Sequence, residues 1–277
     1  MDKPLLAQLA IYFIVVQALG LYVGYSLIQA DLEPVIFSPD PDDPVNSVGL
    51  LAYILVGTLF ILLAIKFLPD RLLYWVFKGI ESLALFFTGF IVLQAFIPEE
   101  AALLGAVGLI MIRVFLPHIL VWRNISSMVA TIGAGAVIGI SIGVWPVIIF
   151  LIALGIYDYI AVFKTKHMVT MAKAVAKKNL SFTIAMPTKD HQFELGTGDF
   201  VMPLIFGVSV LGDSLSKGIP WPGAAIPSIA ILLASLAGLA ITLDYGSGRI
   251  GKALPALPLQ VALMVIMYGL LVAGGVV

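Results

Sequence analysis

Two aspartates lie where a carboxylate is expensive. Asp158 follows Gly155-Ile156-Tyr157 inside the apolar run from Trp145 to Phe163, and Asp199 closes the string Gly196-Thr197-Gly198-Asp199 at the start of another. A charge at mid-membrane costs about 3 kcal/mol or more, and Asp158 has no cation three or four residues away to offset it. Two carboxyl groups sharing a low-dielectric site cannot both ionise readily, so one proton is held between them. The charged member can then deprotonate a water while the protonated member donates to a carbonyl oxygen. This is the chemistry of peptide hydrolysis. Gly196 and Gly198 suit it, because glycine lets a substrate backbone approach closely and lets a helix start irregularly. A third string, Leu254-Pro255-Ala256-Leu257-Pro258-Leu259, removes backbone donors and frees carbonyls, which a membrane tolerates where the chain lines a cavity or is buried in protein. Intramembrane carboxylates and broken helices also serve proton-coupled transporters and ion channels, which stand as the alternative reading.

The elements that must hold these groups are membrane helices. Of 277 residues, 61% are hydrophobic and 11% charged, and the mean hydropathy is +1.11, far from the composition of an ordinary soluble domain. A bilayer core about 30 Å thick needs about 20 apolar residues of helix, and the long continuous runs exclude a barrel. Breaking the chain at its charges and prolines gives nine spans, near 5–29, 47–67, 72–97, 101–122, 125–144, 145–165, 199–216, 222–243 and 254–276. The cut between the fifth and sixth rests on Gly143-Val144-Trp145-Pro146 alone, with proline suited to the first turn of a new helix. The first run, Leu5 to Ile28, is too long for a signal-peptide core and reads as a retained helix.

Basic residues set the orientation. With the N terminus inside, the inner segments hold Lys3, Lys66, Arg71, Arg123, Lys164, Lys166, Lys173, Lys177, Lys178, Lys189, Arg249 and Lys252, twelve of the fifteen bases, against Lys217 outside. The expected fold is therefore an all-α polytopic membrane protein of nine transmembrane helices, N-in and C-out. Asp158 then lies about 20 Å from Trp145 at the outer surface, at 1.5 Å per residue, in the inner third of the bilayer. Asp199 starts the returning span at the same depth, so antiparallel neighbours bring the two carboxylates to one layer.

The chain divides into a six-span part (1–165), a cytoplasmic loop (166–198) and a three-span part (199–277). The loop's first half, with Met168, Met171, Ala172 and Val175 beside lysines, is compatible with a basic amphipathic helix on the inner leaflet. The stretches Ser181 to Ala185 and Phe193 to Gly196 are candidate edge strands for an unwound substrate. Lys78 and Glu81 sit three apart and can neutralise each other on one helix face, while Arg113 needs a carboxylate elsewhere or snorkels. Asp213 and Asp244 lie toward span ends, where a carboxylate is cheap. The glycines of the fifth span, Gly133, Gly135, Gly139 and Gly143, read as close helix packing rather than an ion path.

A net charge of −1 gives no nucleic-acid surface, and the absence of cysteine excludes thiol chemistry. His118, His167 and His191 are scattered and no HExxH string occurs, so neither a metal nor another cofactor is expected. No serine pairs with a histidine on a neighbouring inner span.

Tyr157-Asp158 on the sixth span, Gly196-x-Gly198-Asp199 on the seventh and Pro255-Ala256-Leu257 at the ninth together resemble the presenilin and signal peptide peptidase family, and in particular a microbial presenilin homologue. The resemblance covers the whole nine-span layout. It implies an intramembrane aspartyl protease with Asp158 and Asp199 as the catalytic dyad. Tyr157 would shape the pocket, Gly196 and Gly198 would admit the substrate, and Pro255, Ala256 and Leu257 would help to build the active site. The partners it implies are transmembrane helical substrates in a lipid bilayer, the cell membrane for a microbial protein, with a homo-oligomer left open. The inside position of the 166–198 loop and the doubled proline Pro255–Pro258 resemble presenilin, whose orientation favours substrates with an outside N terminus. Thr197 stands where eukaryotic members usually carry leucine, and the loop is much shorter than the presenilin loop that is cut in maturation.

Overall fold

Proline and acidic residues decide where several helices start. The computed structural model describes residues 3–32, 34–162, 183–187, 192–247 and 255–277. Among these it forms nine helices: α1 (Lys3–Gln29), α2 (Pro44–Phe67), α3 (Asp70–Gln94), α4 (Glu99–Phe115), α5 (Leu120–Ile140), α6 (Val144–Ile160), α7 (Gly198–Ser216), α8 (Ala225–Ser247) and α9 (Leu257–Ala273). Between α6 and α7 the described residues form one antiparallel pair of strands, β1 (Thr183–Pro187) and β2 (Gln192–Gly196). Asp43 caps α2 by accepting the Val45 amide at 2.9 Å, with Pro44 in the first turn, and this bond holds the Asp43 carboxyl below the usual carboxylate range. Pro69 and Pro98 precede α3 and α4, whose first turns carry Asp70 and the pair Glu99 and Glu100, where unbonded amides favour negative charge.

Six helices are long and apolar enough to cross a membrane: α1, α2, α3, α5, α7 and α8. The other three, α4, α6 and α9, have 17 residues each, about 26 Å of helix. The expected boundary between the fourth and fifth spans needs correction. α4 stops at Phe115, the Leu116 amide making a last bond to the Ile112 carbonyl at 2.8 Å. Pro117 is the cause, since it lacks a donor and disfavours helix at the residue before it. Arg123, expected in a loop, therefore sits in the first turns of α5. The cut at Gly143 is where the sequence places it: α5 ends at Ile140, and the Gly143 amide bonds the Pro41 carbonyl at 2.8 Å as α6 begins. The amphipathic helix expected in the first half of 166–198 lies outside the described residues.

α7 is the central helix, with 61% of its apolar window buried. Its Leu204 and Val208 press into grooves that only glycine leaves open. A Cβ on Gly135 of α5 would stand 2.6 Å from Leu204 Cδ2, one on Gly139 2.6 Å from Val208 Cβ, and one on Gly24 of α1 2.8 Å from Val208 Cγ1. On the other side of α5, a Cβ on Gly133 would meet the Thr88 carbonyl oxygen of α3 at 2.7 Å. These glycines bring α1 and α5 against α7, and α3 against α5. Between α3 and α4 the charges expected to need partners have them: Glu81 bridges Lys78 at 2.8 Å and Arg113 at 2.9 Å, all three buried.

Candidate active site

Three helix ends meet where the two aspartates lie. Asp158 occupies the last turn of α6, Asp199 is the second residue of α7, and α9 starts beside both. Each aspartate is half-buried. Leu257, the first residue of α9, presents its backbone N–H to the Asp158 carboxylate. One turn on, Gln260 Nε2 donates to the Asp199 carbonyl oxygen at 3.3 Å.

The sequence arranges this contact simply. The first amides of a helix have no partner in their own helix, and Pro258 at the second position of α9 has no amide at all. Gly155, one turn before Asp158, brings α6 close, for a Cβ there would lie 3.6 Å from Pro258 Cα and 3.8 Å from Val261 Cγ2. Ala256 and Leu257 are buried and Pro255 half-buried, and Tyr157 packs on the core cluster that contains Leu257 and Val261. Gly196 and Gly198 are exposed. A Cβ on Gly196 would be 3.9 Å from Asp199 Oδ2, and one on Gly198 would meet nothing within 4 Å. Internal packing does not require glycine at Gly198, and what its absence of a side chain leaves is room beside the carboxylate.

Asp199 is reached through the hairpin. β1 and β2 pair in the register Thr183↔Gly196, Ala185↔Glu194 and Pro187↔Gln192, and β2 runs through Thr197 into α7. α5 holds the hairpin with side chains that imitate a further strand. Asn124 Nδ2 donates to the Ala185 carbonyl at 2.8 Å while its Oδ1 accepts the Ala185 amide at 2.9 Å. Ser127 Oγ donates to the Thr183 carbonyl at 3.1 Å, and Gln8 Nε2 of α1 to that of Pro187 at 3.2 Å. Because both polar groups of Ala185 face Asn124, the Ala185–Glu194 pair is a non-hydrogen-bonded one, and the outer edge of β1 is taken. Arg123 adds an ion pair to Glu194 at 2.9 Å. Of the two stretches expected to offer edges, the described part of the first is thus sealed by α5 and α1; Ser181 and Phe182 lie outside the described residues.

Three contributors carry no signal in the sequence motifs. Pro203 lies inside α7, four residues after Asp199, so the helix has no amide for the Asp199 carbonyl; Gln260 supplies one. Gln17 of α1 donates to the next carbonyl, that of Phe200, at 2.9 Å. Asn124 is the third. A proline four residues beyond a functional residue, and amides in otherwise apolar spans, are the signals that would have found them. A cavity of about 180 Å³ lies between α3, α5 and the start of α7, lined by Glu81, Thr88, Ser126, Thr131, Thr197 and Val201 among others; its α7 residues flank Asp199 in the chain. Asp213 pairs with Lys217 at 2.8 Å at the opposite end of α7, away from the site.

The family model for signal-peptide peptidase, presenilin aspartyl protease matches residues 10–274. Among solved structures the chain is similar to a presenilin family intramembrane aspartate protease in space group C222, with 21% identity, 97% of this chain and 98% of that chain covered, and a TM-score of 0.71. The structure of such a protease in space group P2 gives 20% identity, 96% coverage of both chains and a TM-score of 0.67. No curated protein matches the chain.

Proposed function

This chain belongs to the signal-peptide peptidase and presenilin aspartyl protease family, which makes it an intramembrane aspartyl protease, and from that premise we propose that Asp158 and Asp199 are the two carboxyls that cut the peptide bond. The observation that carries the assignment is the first turn of α9, which meets Asp158 through the Leu257 amide and Asp199 through Gln260. One carboxyl is protonated and one charged. The charged group takes a proton from water, whose oxygen attacks the scissile carbonyl carbon, while the protonated group donates to the carbonyl oxygen. As the tetrahedral intermediate collapses, a proton passes to the leaving nitrogen and the C–N bond breaks.

The substrates are transmembrane helices, whose peptide bonds are shielded until a segment unwinds, and unwound backbone in a membrane needs new partners. Strand pairing along Phe193–Gly196 is supported by two facts: side chains occupy the outward groups of β1, and β2 leads directly to Asp199. Gly196 and Gly198 leave space for that strand, and Tyr157, Pro255, Ala256 and Leu257 shape the wall opposite. The N-in and C-out orientation of nine spans is supported by the distribution of bases. It puts the site in the inner third of the bilayer and favours substrates with an outside N terminus. The transport alternative finds less support, since the α5 glycines are filled by Leu204, Val208 and Thr88.

The test is cleavage of a single-span substrate of that orientation in lipid by the wild type, Asp158→Asn and Asp199→Asn. Each variant should lose the product by about three orders of magnitude or more, as removal of a member of an acid–base unit does. Persistent cleavage by either would remove that residue from the mechanism.

A further inference from the structure

A buried glutamine one turn beyond the Pro255-Ala256-Leu257 string has a placement that packing alone does not explain. Gln260 is fully buried, and its Oε1 has no hydrogen-bond partner among the described residues. An unmet buried carbonyl costs stability, so an apolar side chain of the same length would pack there at less expense. What glutamine adds is Nε2, and Nε2 meets the carbonyl of Asp199. That carbonyl needs a donor, because the residue four positions on is Pro203, which has none. The base of the side chain is held firmly. A Cβ on Gly238 of α8 would lie 3.0 Å from Gln260 Cα and 3.1 Å from its nitrogen, so α8 packs directly on this part of the α9 backbone.

We propose that Gln260 is a positioning residue for the two aspartates: it replaces the hydrogen bond that Pro203 removes from α7, and thereby ties the start of α7 to the turn of α9 that meets Asp158. The proposal rests on the reading that Asp158 and Asp199 perform the cut. Gln17 is the internal contrast. It bonds the Phe200 carbonyl, but the residue four positions beyond Phe200 is Leu204, which has an amide to give. Of these two carbonyls, that of Asp199 is the one stranded by proline.

The geometry supplies its own rescue. Pro203→Ala returns an amide that can bond the Asp199 carbonyl within α7, which makes Gln260 dispensable. The experiment compares the full-length wild type, Gln260→Met, Pro203→Ala and the double variant in lipid, reading kcat, KM and melting temperature on one single-span substrate. Gln260→Met should lose about tenfold to a hundredfold in kcat, the worth of an unmet buried carbonyl, with KM nearly unchanged. Pro203→Ala should stay within about threefold of wild type, and the double variant within about threefold of Pro203→Ala. Gln17→Met should show no such rescue. Equal losses from Gln260→Met in both backgrounds, a loss in KM alone, or no loss would each overturn the proposal. Where Gln260→Met folds poorly, the same cycle with Gln260→Asn, which keeps the amide but falls short of the carbonyl, gives the same reading. Asp158→Asn and Asp199→Asn run alongside separate the two claims: if they still cut, the assignment of the aspartates fails, whereas if they are dead and rescue is absent, only the role of Gln260 falls.

Discussion

Replacing Asn124 by leucine should disconnect the hairpin from α5 and silence the protease while most of the helical fold survives. Asn124 is buried and meets Ala185 at both of its backbone groups, at 2.8 and 2.9 Å, and Tyr12 Oη at 3.3 Å. Leucine has the same branching and number of side-chain heavy atoms but no polar ones, so it leaves a buried amide and a buried carbonyl unmet. At about 1–3 kcal/mol for each orphaned group, the hairpin loses about 2–6 kcal/mol of local stability. The remaining ties, Ser127 to Thr183, Arg123 to Glu194 and Gln8 to Pro187, lie outside this exchange, so the effect is a local opening rather than general unfolding. The assay is hydrogen exchange across 183–196 in lipid, read together with cleavage rate. Even the low end, about 2 kcal/mol, corresponds to roughly thirtyfold faster exchange, and cleavage should fall by at least tenfold because β2 carries the chain into Asp199. Asn124→Asp, which keeps the acceptor and loses the donor, should lie between. Unchanged protection of the hairpin together with an unchanged rate would refute the claim that this side chain holds the strand.

Two further outcomes test the frame around the site. Gly139→Val should destabilise the chain by about 1–3 kcal/mol or more, because its Cβ meets Val208 Cβ at 2.6 Å and the Ile205 carbonyl at 2.9 Å, whereas Gly57→Ala, with nothing within 4 Å of the added Cβ in the interior of α2, should cause no loss of stability; denaturant titration in mixed micelles reads both. Glu81→Leu takes the carboxylate from two buried cations, Lys78 and Arg113. It should cost about 3–5 kcal/mol in the same titration, and a loss under 1 kcal/mol would mean that the cations find other partners.

What the sequence discloses is what membrane physics penalises. A carboxylate without a local cation, a proline pair at a span start and a run of apolar residues each stand out against a bilayer, so Asp158, Asp199, the Leu254 to Leu259 string and the helices carrying them were legible. Glu81 and Lys78 were legible as a pair on one helix face, but the bond to Arg113 joins different helices and has no spacing to reveal it. The helix boundary at Pro117 was misplaced because counting charges set the loop at Arg123, whereas backbone sterics set it at the proline. The strands 183–187 and 192–196 showed only as β-prone stretches. Which edge of them is closed depends on Asn124, more than fifty residues earlier in the chain, and on its reach across a helix interface. Gln260 and Gln17 remained silent for the same reason: each amide bonds a backbone carbonyl on another helix, and only the fold says which one.

That last point bears on how a membrane can hold a protease at all. A site built at the ends of α6, α7 and α9 is built where helices leave backbone groups unmet, and in hydrocarbon each of these would be prohibitive without a partner. Side-chain amides provide partners here: Asn124 for β1, and Gln260 for the Asp199 carbonyl that Pro203 leaves without an amide. The substrate faces the same difficulty once its helix unwinds, because its amides and carbonyls also need partners before a peptide bond can reach the proposed pair, Asp158 and Asp199. Irregular backbone is therefore a requirement of the chemistry rather than a defect in the bundle. A version of this fold with the hairpin absorbed into α7 would lose the place where an unwound strand can be held beside the start of that helix.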